Sequence, residues 1–158
     1  MTGSTLIQTI SINVGHKLYG NIVIGDDGYL YLFGCQQGGV SPTEFYKFNC
    51  PAVDAGDVTL TEKDIIDSWT WTDDVEDFVL QGGFFRNGKL YVCYGQSDSA
   101  TRDVDRNINV FDWAKKERVS YVPLKPYVSH EPEDICLYKG KILMVVNGAN
   151  EAYIIDFI

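Results

Sequence analysis

The sequence predicts an all-β fold made of repeated antiparallel sheets, and three observations carry that expectation. A two-strand unit with a Gly-ended turn occurs three times: NIVIGDDGYLYLF (Asn21 to Phe33), GGFFRNGKLYVCY (Gly82 to Tyr94) and EDICLYKGKILMVV (Glu133 to Val146). The turn glycines Gly28, Gly88 and Gly140 lie about 60 and 52 residues apart, a period that marks a repeat architecture. Helical periodicity is nearly absent, and the 13% aromatic content suits strands. Together these point to β-propeller blades, about three four-stranded sheets per chain.

Each hairpin follows from its residues. Apolar runs flank Asp27-Gly28 and Asn87-Gly88, dipeptides suited to two-residue turns because both positions tolerate positive φ. A third strand is expected at EFYKFNC (Glu44 to Cys50), INVFDW (Ile108 to Trp113) and AYIIDF (Ala152 to Phe157), and a fourth at DIIDSWTW (Asp64 to Trp71) and ERVSYVPL (Glu117 to Leu124). TEKDIIDSW begins with a Thr-x-x-Asp capping pattern that would suit a turn or two of helix, but a strand is the preferred assignment. The chain is thus expected to be one domain over 1–158, with blades near 19–71, 78–124 and 131–158 and an additional strand at 5–13. Three blades are too few for a ring of four to eight. Closure is therefore expected from self-association as a symmetric dimer, from the remaining blades of a larger propeller, or not at all if the fold is a stack of small sheets.

Composition bounds the function. At 158 residues with 45% hydrophobic and 22% charged residues, the chain can bury a sizeable core. The net charge of −9 disfavours nucleic acid, whose phosphates need clustered Lys and Arg. No stretch approaches the roughly 20 apolar residues of a membrane span. The N-terminus has no basic start or apolar run of a secretory signal, so localisation stays open between the cytoplasm and, for a piece of an exported protein, the periplasm or exterior. Cys35, Cys50, Cys93 and Cys136 show no metal-binding spacing, and Cys93 and Cys136 are expected to be buried thiols inside strands.

QGGFFRNGKLYVCYG (Gln81 to Gly95) and EPEDICLYKGKILMVVNG (Glu131 to Gly148) resemble the last two blades of bacterial six-bladed propellers of the broad NHL and YncE-like group, in which short "QG" or "EPE-G/D" starts precede an "NGKLYV"-like hairpin. The likeness covers the C-terminal half well and Tyr19 to Asn49 more loosely. It implies the fold; the group spans binding proteins, scaffolds and lyases. Asp134 stands where "EPEG" has Gly, and the regular Gly-Gly doublets of kelch and the Gly-His and Trp-Asp marks of WD40 are missing.

Counting back seven residues from each turn glycine gives Asn21, Gln81 and Glu133. On the first strand of each blade, they would form a polar ring at the mouth of a channel, flanked by His16, Lys17, His130 and Glu131. Amides, carboxylates and imidazoles suit a sugar, another small polar ligand or a metal ion; the same groups equally suit bonding to backbone and ordered water. Glu131 and Glu133, two apart on a strand, would be a carboxylate pair for glycoside chemistry, although Pro132 between them restricts the backbone. Asp103, Asp105 and Asn107 match only the opening of a calcium loop, and Asp73, Asp74, Glu76 and Asp77 suit a solvated acidic turn. Nucleophile elbows and phosphate loops are not found. No catalytic residue, metal or cofactor is assigned. The expectation is a non-catalytic propeller module binding a ligand or protein at its channel face; the alternatives are a carbohydrate-active propeller lyase or hydrolase, and a purely structural assembly unit.

Overall fold

The computed structural model describes residues 4–37, 40–72, 79–95, 97–98, 102–103, 106–148 and 151–156. In chain order the strands are β1 (Ile10–Asn13), β2 (Tyr19–Ile24), β3 (Tyr29–Gln37), β4 (Val40–Asn49), β5 (Val58–Thr61), β6 (Ile65–Trp71), β7 (Leu80–Arg86), β8 (Lys89–Tyr94), β9 (Ser97–Asp98), β10 (Arg102–Asp103), β11 (Asn107–Asp112), β12 (Glu117–Pro123), β13 (Pro132–Tyr138), β14 (Lys141–Val146) and β15 (Ala152–Ile155). The fold is all-β; the one helical element among the described residues is a 3-10 turn at Glu62–Asp64. That turn carries the Thr61/Asp64 capping box, with Asp64 accepting from the Thr61 N–H at 2.7 Å, and β6 follows at once. The capping pattern and the strand are therefore both present.

Three antiparallel meanders form the body. The first sheet has the order β2-β3-β4-β6, the second β7-β8-β11-β12 and the third β13-β14-β15. The sheets lie in a row, with β7 packed against both β2 and β13. Two-stranded pieces add β9-β10 and a parallel β1-β5 pair. The described residues form no closed ring.

The second sheet is buried on both faces, so its middle strands β8 and β11 are nearly continuously buried. An aromatic core fills the space between first and second sheets: Tyr31, Phe33, Phe45, Phe85, Phe111 and Trp113 are all buried. Tyr31 stacks on Phe85 at 3.9 Å and Phe45 on Trp69 at 4.2 Å between centroids. Cys93, Ile108, Ile135, Ile142, Met144 and Val146 fill the second–third junction. A third cluster, Val14, Leu30, Leu32, Phe48 and Leu60, lies where β1 and β5 cover the opposite face of the first sheet.

Three local expectations are corrected. The strand expected at 5–13 is confined to Ile10–Asn13, and it pairs with β5, a strand too short to stand out in the sequence. The Asp27-Gly28 turn is not a two-residue turn: Gly28 N–H bonds Gly25 O at 3.0 Å, and only Gly28 has positive φ (80°). Asp27 stays outside the left-handed region, as in a three-residue loop whose last residue alone is left-handed, and its carboxylate accepts from Tyr31 OH (2.7 Å) and the Tyr29 N–H (3.2 Å). Asn87-Gly88 and Lys139-Gly140 do have positive φ at both residues. Cys136 is exposed, because the alternation of β13 turns it away from the core that Ile135 enters.

Candidate functional site

The starts of β2, β7 and β13 converge on a cleft of about 430 Å³ lined by Tyr19, Gly20, Asn21, Val79, Leu80, Gln81 and Glu133. The three residues picked out by counting back from the turn glycines thus share one concavity. Their equivalence has a geometric cause. The first hairpin carries one more loop residue than the other two, since Gly25 and Tyr29 are joined by a hydrogen bond around Asp26-Asp27-Gly28. Compensating for it, β7 and β13 each carry one extra residue in a bulge, between Leu80 and Gly83 and between Pro132 and Asp134. Gln81 and Glu133 sit in those bulges, and bulges re-aim side chains.

Gln81 is the hub. Its Nε2 donates to Gly95 O at 2.8 Å and to Glu131 Oε1 at 2.7 Å, while its backbone carbonyl accepts from Asn21 Nδ2. One residue therefore ties β2, β7 and the entry to β13. Close approach at this point is allowed by Gly82: a Cβ there would lie 1.9 Å from Asp134 Oδ1 and 2.8 Å from its Cα. Gly20 and Gly34 face each other on β2 and β3 for the same reason, with a Gly20 Cβ falling 2.2 Å from Phe33 O.

Glu133 is exposed and shows no hydrogen-bond partner among the described residues. Its carboxyl is pushed above the ordinary range, first by desolvation and then by the charge of Glu131. Glu131 lies just outside β13, and its carbonyl accepts from the Asn147 N–H at 2.8 Å.

The remaining flanking residues surround rather than line the cleft. Lys17 stands 4.4 Å over the ring of Tyr19, which does line it. His130 is half-buried beside Gly148, whose Cβ position lies 3.6 Å from its Nδ1. His16 belongs to a neighbouring cluster: its Nε2 is 3.0 Å from Glu44 Oε2, and Glu44 also accepts from Gln36 Nε2 (2.6 Å) and Tyr46 OH. Glu44 is buried, and Gly34 pairs with both it and the cleft residue Gly20. Burial alone would raise the Glu44 carboxyl, but the bonds from Tyr46, Gln36 and His16 prevail and hold it below the usual range. Sequence reasoning missed this cluster; the one available signal was an acid within the aromatic run EFYKF of β4.

Cys93 is fully buried, and desolvation pushes its thiol up to about 12, so it is inert packing rather than a nucleophile. Of the calcium-like loop, Asp105 lies outside the described residues, as do Asp73, Asp74, Glu76 and Asp77. Asn107 is buried and accepts from Asn109 Nδ2 at 2.7 Å. Among the described residues no group of three or more His, Cys, Asp or Glu is placed to hold a metal ion, and no helix is long and apolar enough to cross a membrane. No family model matches the chain, and no curated protein matches it by sequence.

Proposed function

We propose that this chain is a non-catalytic binding module of β-propeller blades that takes a small polar ligand, a sugar foremost, in the cleft between its first strands. The observation that carries this reading is the convergence of Asn21, Gln81 and Glu133, one from each sheet, on a single concavity. Its volume of about 430 Å³ lies within the 300–1,000 Å³ typical of ligand sites. The half-exposed ring of Tyr19 offers an apolar platform, and the Glu133 carboxylate a strong acceptor for hydroxyl groups. The resemblance to NHL and YncE-like blades is in keeping with the meander order of the sheets, and the ring would need further sheets beyond the three that the described residues form.

Calorimetric titration with a panel of neutral mono- and oligosaccharides tests the reading. Saturable binding that falls at least tenfold in Glu133→Ala and Tyr19→Ala is expected. A chain that folds normally and binds no member of the panel contradicts it, and leaves the Asn21–Gln81–Glu131 bonds as an inter-sheet brace.

A second reading, a carbohydrate-active enzyme, is favoured by one observation: a carboxyl, Glu133, lines the cleft two residues from a second one, Glu131. Glu133→Gln would then abolish turnover of a glycan while leaving the fold and ligand binding intact.

A further inference from the structure

The three sheets are internal copies, so each shows what should cover the corresponding surface of the others. Strand register makes Ile24 of the first sheet equivalent to Phe85 of the second, since they pair with Leu30 and Leu90. By the same register Ile22, paired with Leu32, corresponds to Ile135 of the third sheet, paired with Met144. Phe85 and Ile135 are 6% and 2% exposed because a preceding sheet covers them. Ile22 and Ile24 are 51% and 64% exposed, although β1 and β5 cover the rest of that face.

The opposite end of the row shows the converse. Val145 occupies the position that Phe33 holds in the first sheet and Cys93 in the second, both fully buried against a following sheet. Val145 is 43% and its neighbour Ile154 58% exposed, and Cys136, Tyr138 and Leu143 continue the same face. Among the described residues, then, one end has no preceding sheet and the other no following one.

We infer that the third-sheet face around Val145 and Ile154 docks on the Ile22–Ile24 strip of a second copy of this chain, head to tail, and that the second copy returns the same contact. This rests on the propeller reading above and names its partner. The contact continues the packing already made twice within the chain, and two copies close a ring of six sheets, within the range of four to eight. In such a ring the cleft becomes half of a channel, with a second Asn21, Gln81 and Glu133 supplied by the other copy.

Light scattering on the full chain tests the inference. The wild type is expected near twice 17.8 kDa. By the same register Val145 faces Ile22 of the other copy, as Phe33 faces Gly83 within the chain. Val145→Glu and Ile22→Lys each bury an unpaired charge in both contacts, so each alone should weaken the dimer about 100-fold or more. Mixed one to one, they should restore a dimer, because one contact is then wild-type and the other sets a carboxylate against an ammonium. Circular dichroism checks that each variant folds; Ile154→Glu replaces Val145→Glu if it does not. A monomeric wild type, a trimer or open polymer, an Ile22→Lys variant that stays dimeric, or a mixture that stays monomeric overturns the inference. Saccharide titration of the same samples separates the two claims: a monomer that binds in the cleft refutes the docking alone, and a dimer that binds nothing refutes the binding alone.

Discussion

Gln81→Leu removes the hub of the cleft while keeping the size and shape of the side chain. Two hydrogen bonds are lost, a neutral one to Gly95 O at 2.8 Å and a charge-assisted one to Glu131 Oε1 at 2.7 Å. A neutral bond contributes about 1 kcal/mol and one to a charged group about 1.5–3 kcal/mol. Glu131 is only half-buried and regains water when its donor is gone, which places the charged term at the low end. The expected loss is about 2–3 kcal/mol, or about 4–12 °C in Tm for a chain of this size. Gln81→Glu should cost more at neutral pH, because it sets a second carboxylate against Glu131 where a donor now stands, and the difference from Gln81→Leu should shrink in acid, where the introduced carboxyl is protonated. Thermal melts by circular dichroism at pH 7 and 4.5 measure both. Melting temperatures unchanged within a degree for both variants, or a Gln81→Glu deficit that does not narrow in acid, would refute the claim that Gln81 joins the sheets.

Gly82→Ala should destabilise by about 1–3 kcal/mol or more, since its Cβ meets the backbone of Asp134 at 2.8 Å, whereas Gly28→Ala, in open space, carries only the strain of its φ of 80°, about 1–2 kcal/mol; chemical denaturation compares them. Phe45→Ala, at the centre of the aromatic core between Trp69 and Phe111, should cost about 3–5 kcal/mol by the same measurement. The Glu44 carboxyl is depressed in the folded chain, so its contribution is present above the unfolded value near 4.5 and is lost as the pH falls through the lower folded value. Glu44→Gln should therefore lower stability at pH 7, and its stability should decline less than that of the wild type as the pH is taken below about 4.5.

The strand pattern of the body was legible because each hairpin combines apolar runs with a Gly-ended turn. Ile24, Phe85 and Leu137 all stand one pair before their turns and reveal the repeat. The shared level of Asn21, Gln81 and Glu133 was legible only because two irregularities cancel: a longer first loop and a bulge in each of β7 and β13. Composition does not announce a bulge, and the aim of Gln81 toward Gly95 and Glu131 was correspondingly hidden. The β1-β5 pair was hidden for another reason, since four-residue strands lack the length for a periodic signal and take their place from the apolar face of β2–β4. Glu44 was hidden because a buried carboxylate depends on partners distant in sequence, here His16 and Gln36.

The central claim, that three first strands bring their polar residues to one ligand cleft, is tested most directly by following the side-chain amides of Asn21 and Gln81 by NMR. The account predicts that the Asn21 amide protons show cross-relaxation to β7, that those of Gln81 show it to Gly95 and Glu131, and that both sets shift together on titration with a bound saccharide. Amides that exchange freely with water, show no contact between sheets and respond to no saccharide would contradict it.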